Sequence, residues 1–173
     1  MPLSLYQATV PSFLQILPPL AGLVDKAQAW CAEQGRSPAA LLDARLAEDM
    51  WPFGKQVTTA CLHARAAAEG VQAGETGPDL APAPADFAAL AARVAETIDT
   101  LGKVDAAQLD AIADRDHCFR FGERRMDFTV ADYLLSFALP NFHFHAAMAY
   151  AILRNQGLPI GKMDFLGSLR MKG

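Results

Sequence analysis

The sequence predicts an all-α fold: a bundle of four long helices, with a short extra helix after the first and a small β-hairpin before the last. Three observations lead there. Four stretches carry apolar residues at three- and four-residue spacing, the repeat that gives a helix one buried face. Each opens near a capping residue or a first-turn proline and stops at a glycine, the usual punctuation of helices. Only residues 117–128 change period, alternating apolar with polar as a strand does. With 52% hydrophobic residues among 173, the chain can bury a sizeable core, and one domain over 1–173 is the natural count.

The first helix is expected from Pro11 to Glu33 or Gln34, with Leu14, Leu17, Leu20, Leu23, Val24 and Ala27 as its stripe and Gly35 as its left-handed stop. Pro18-Pro19 lies inside that stripe. An interior proline costs roughly 3 kcal/mol, so a bend is expected there. Ser37-Pro38 reads as an N-cap and first-turn proline of a short helix, SPAALLDARL. The second long helix starts at Pro52-Phe53 and shows Val57, Ala60, Cys61, Ala64 and Ala68 on one face, with Gln56, Thr59 and His63 on a half-solvated flank. Residues 70–86 hold three glycines and three prolines without a periodic pattern, which reads as a surface loop.

Asp86 caps the third helix, in which Phe87, Leu90, Val94, Ile98 and Leu101 recur before Gly102. One or two helical turns are expected between Asp105 and Asp114. Phe119 and Phe121 on one side of Gly122-Glu123, and Met126 and Phe128 on the other, give a hairpin that needs the helices to support it. Thr129 caps the last long helix, expected to bend or restart at Leu139-Pro140 and to end at Gly157. It is apolar on every side between Phe142 and Leu153, which marks a helix buried by several neighbours. Residues 158–173 read as an extended tail anchored by Phe165-Leu166, docked on the bundle or on a second subunit.

Charge and cysteine content exclude several classes. The net charge is −4, with basic residues scattered, so no nucleic-acid footprint is present. No apolar run reaches a membrane span, and three widely spaced cysteines without a C-x-x-C pair fit a reduced, cytoplasmic protein. Phosphate loops, nucleophile elbows and HExxH helices are missing from the sequence.

Candidate chemistry therefore rests on histidines. His143 and His145 are about 200° apart on a helix and cannot share a ligand. His145, beside Asn141, Met148 and Ile152, is the one expected to look inward. His63 is the other histidine on a long helix, with Gln56 two turns before it. Two imidazoles with neutral amides fall short of the three ligands that a catalytic zinc or nickel site needs, so no cofactor is expected. Tyr133 and Tyr150 are candidate wall residues of a pocket.

The segments LPNFHFHAAMAYAILRNQGLPIGKMDFLG, LLDARLAEDMWPFGKQV and SLYQATVPSF together resemble a bacterial family of unknown function within the DinB/YfiT-like metalloenzyme superfamily. That resemblance implies an up-down-down-up four-helix bundle, often dimeric. It implies a metal site of one histidine on the second helix and a His-x-x-x-His pair on the fourth. His145 matches the second member of that pair, Asn141 stands where the first would be, and either His63 or Gln56 takes the position on the second helix. Three functions follow as expectations: a homodimeric structural or interaction module with a degenerate metal site; a pocket between the second and fourth helices that binds a small molecule or acts like a thiol transferase; and a divalent-metal-dependent enzyme.

Overall fold

A computed structural model describes residues 3–172. Helix α1 spans Leu5–Gln34 and so starts before the expected Pro11. The reason is a capping box: Ser4 accepts from the Gln7 amide at 3.2 Å, and the Gln7 side chain takes the Ser4 amide at 3.3 Å. Pro11, Pro18 and Pro19 all lie inside this helix. Helix α2, Pro38–Leu42, is shorter than SPAALLDARL because the chain turns away at Asp43.

Helix α3, Phe53–Arg65, continues as a π-helical segment, Ala66–Gly70, and a last turn, α4, Val71–Ala73. The expected loop thus starts later, at Gly74, whose φ of 77° ends the helix. It also contains a strand, β1, Glu75–Thr76, absent from the sequence reading because two residues carry no periodic signal. Asp86 caps α5, Phe87–Gly102, and Asp105 caps α6, Ala106–Ala111. Strands β2, Asp116–Phe121, and β3, Arg124–Thr129, form the expected antiparallel hairpin. Strand β1 adds to β2 in parallel, Glu75 opposite Cys118, so the sheet has three strands in the order β1-β2-β3.

Thr129 caps α7, Val130–Asp132, which runs into a second π-helical segment, Tyr133–Ala138, and then α8, Leu139–Asn155. The expected bend or restart at Leu139-Pro140 falls where the π segment gives way to α8, which begins at Leu139 with Pro140 in its first turn. The wider π turn just before Pro140 absorbs the missing N–H. The tail, expected to be extended, is corrected: Lys162–Leu166 forms a helical turn, α9, against α1. Gln15 Nε2 donates to the Leu166 carbonyl at 3.1 Å and Lys26 pairs with Asp164. Pro19 cannot donate to the Gln15 carbonyl, and Gly167 backs onto that carbonyl so closely that a Cβ there would lie 2.5 Å from it.

Helix α3 packs on α8 and α5, and α1 on α5 and α8, around one apolar core that includes Phe13, Leu17, Phe53, Leu90, Phe142 and Ile152. The chain is mostly helical with a small sheet. Among the described residues, no helix is long and apolar enough to cross a membrane.

Candidate functional site

The packing of α8 on α3 brings His145 beside His63. Their rings are near-parallel, at 4°, with centroids 5.7 Å apart. Trp51, at the entrance to α3, also stacks on His145, at 5.6 Å and 17°. Phe137 meets His63 edge-on at 5.7 Å. His63 is 6% exposed and His145 8%, so the expected half-solvated position of His63 is corrected: the ring and its neighbours Gln56 and Thr59 are buried by α8.

Gln56 sets the tautomer of His145. Its Nε2 donates to the Trp51 carbonyl at 3.1 Å, which leaves Oε1 as the acceptor facing His145 Nδ1 at 2.7 Å. Nδ1 therefore carries the proton and Nε2 keeps a free lone pair. Burial pushes the pKa of His145 down from 6.5 to about 4. His63 also falls to about 4, first through burial and then through the neighbouring imidazole. Both rings are neutral at pH 7.

Asn141 Nδ2 donates to the Phe137 carbonyl one turn earlier at 2.7 Å, and its neutral amide oxygen is not a usual zinc donor. His143 bonds Ser12 Oγ at 3.2 Å, away from His145. Tyr150 is also apart from the site, packed on Phe165 of the tail at 5.8 Å. Among the described residues no group of three or more His, Cys, Asp or Glu is placed to hold a metal ion. With Gln56 Oε1 committed to His145, the donor set does not fit the three-ligand site of the superfamily pattern.

His63 instead opens toward a cavity of about 280 Å³, shared with Arg65, Glu69, Thr76, Arg93, Phe119 and Tyr133. Ala66, Glu69 and Gly70 of the first π segment and Tyr133 of the second line this same cavity. Behind it, Thr76 Oγ1 donates to the Tyr133 hydroxyl and meets His117 Nε2, both at 2.9 Å. Burial raises the Tyr133 phenol and lowers His117.

Of the sequence candidates, the structure brings together His145, Gln56 and His63, and Tyr133 lines the same cavity as His63. Trp51, Thr76, Arg93 and His117 were not singled out as site residues. Two signals were present. His117 shares its strand face with the buried Phe119, and Arg93 is the single basic residue in α5.

A family model described as a domain of unknown function (DUF1993) matches residues 5–166. Among solved structures, a DinB family member protein from Shewanella denitrificans, determined at 1.83 Å, is 27% identical, with a TM-score of 0.78. The match covers 98% of this chain and 95% of that one. No curated protein matches the chain.

Proposed function

The chain belongs to the DUF1993 family, and on that premise we propose that it binds a small molecule in the cavity bounded by α3, α5, β2 and the second π segment. One observation carries the reading. Two π-helical segments, on separate helices, border the same cavity, next to a neutral histidine. A π turn gives up regular hydrogen bonding and is found disproportionately at functional sites, and two of them at one pocket point to a use for that shape. His63 presents a neutral imidazole able to accept a proton, and the stack with His145 and Trp51 holds it in place. The reading takes the long helices in the up-down-down-up order that DinB-like proteins imply.

A thermal-shift screen of small acids, amines, amides and thiols tests it. At least one compound is expected to stabilise the protein and to lose its effect in Ala73→Trp, whose indole would fill the cavity from an exposed rim position. A screen without any stabiliser would overturn the reading.

A homodimeric module is a second reading, supported by Trp51 and Phe144. Both rings contact His145 yet stay 41% and 52% exposed, an apolar pair suited to a second copy of this chain. Sedimentation of wild type against Phe144→Ser tests it: the reading requires a dimer in the first and a monomer in the second.

A further inference from the structure

We propose that the ligand of this cavity is a small monocarboxylate with an apolar body, its carboxylate gripped by the Arg93 guanidinium and the Tyr133 hydroxyl. This rests on the pocket reading above and adds the chemical class. Charge comes first. Arg65, Glu69 and Arg93 are the charged side chains that line the cavity, and Arg65 is already spent on both Glu69 oxygens at 2.9 to 3.1 Å. Arg93 is partly buried and has no ion pair among the described residues. The lining therefore carries one uncompensated positive charge, on a planar fork that matches a carboxylate. Leu62, Ala66, Ala73 and Phe119 give the wall an apolar side for the body of the ligand.

The second contact follows from an orphaned atom. His117 is 2% exposed, and its Nδ1 is buried without any partner. A buried N–H without an acceptor is rarer than a buried lone pair without a donor, so the proton belongs on Nε2. Nε2 then donates to Thr76 Oγ1, and Thr76 passes its own hydrogen to the Tyr133 oxygen. The direction of this chain leaves the Tyr133 O–H without a protein acceptor, on a residue that lines the cavity. Burial keeps that phenol protonated, so it is a donor. One cation and one phenol donor without a protein acceptor select an acceptor-rich anion and reject cations. The volume of about 280 Å³, at the low end for ligand pockets, keeps the molecule small.

Calorimetric titration of the full chain with acetate, butyrate and benzoate, each against its neutral amide, tests the assignment. Butyrate or benzoate is expected to bind at least tenfold more tightly than its amide. Arg93→Gln should weaken the acid roughly ten- to hundredfold, the range for losing a charge-assisted bond, and leave the melting temperature unchanged, since Arg93 makes no ion pair. Tyr133→Phe should weaken the acid several-fold and the amide less. If amide and acid bind equally, or Arg93→Gln binds the acid as wild type does, the carboxylate assignment is overturned while the cavity stands. If neither binds and the broader screen also finds no stabiliser, the pocket reading falls with it.

Discussion

Acid should loosen this protein through its buried imidazole pair before its carboxylates matter. His63 and His145 titrate near 6.5 when the chain is unfolded and at about 4 when it is folded. The unfolded state thus binds protons that the folded state refuses, so stability rises with pH through this window and is lost as pH falls from 6.5 toward 4. For one ring the difference amounts to about 2 kcal/mol at pH 5 and roughly 3 kcal/mol once both states are protonated. The assay is urea denaturation of wild type, His63→Gln and His145→Asn at pH 7.5, 6 and 5. Asn places an N–H where His145 Nδ1 donates to Gln56, so that bond can survive. His117 and His143 are also lowered by burial and add to the wild-type slope, which makes the difference between proteins the diagnostic quantity. Each variant should lie below wild type at pH 7.5, by about 1 kcal/mol for the lost aromatic stacking, and recover about 2 kcal/mol relative to it by pH 5. A gap between variant and wild type that stays constant from pH 7.5 to 5 would refute the buried, neutral state of the pair.

Removing the amide that faces His145 should be costlier than removing a surface polar group: Gln56→Leu leaves a buried N–H unpaired and is expected to lose about 1–3 kcal/mol in the same denaturation assay. Gly167→Ala forces a side chain onto both a φ of 65° and the Gln15 carbonyl, so a lower melting temperature and faster proteolysis of the tail are expected. Cys31, Cys61 and Cys118 are free and buried, and burial pushes Cys61 up to about 11. An aromatic disulfide reagent should leave Cys61 untouched in the native protein and label it in urea.

The long helices were legible because their information is local. The α5 repeat from Phe87 to Leu101 and the Asp86 cap sit within one short window, and the hairpin alternation around Gly122 does too. The inward turn of His145 was also readable, since its helix neighbours are apolar. What stayed hidden depends on partners far away in the chain. The start of α1 was set by Ser4 and Gln7, a polar signal outranked by the conspicuous Pro11. The π segments leave no mark on a three- and four-residue repeat, and β1 exists only because Cys118 and Phe119 lie beside it. At the site, Gln56 and His145 are 89 positions apart, and Thr76 and Tyr133 57.

The clasp between α9 and the proline stretch of α1 has a bearing on how the molecule is made. The residues that cover Gln15 and Pro19, Leu166 and Gly167, leave the ribosome about 150 positions after them. This patch of α1 therefore stays bare until they are made, and the lengthy sequence separation makes its closure slow. A reporter peptide inserted directly after Leu166 would interfere with that closure, whereas one placed ahead of Ser4 would leave it alone.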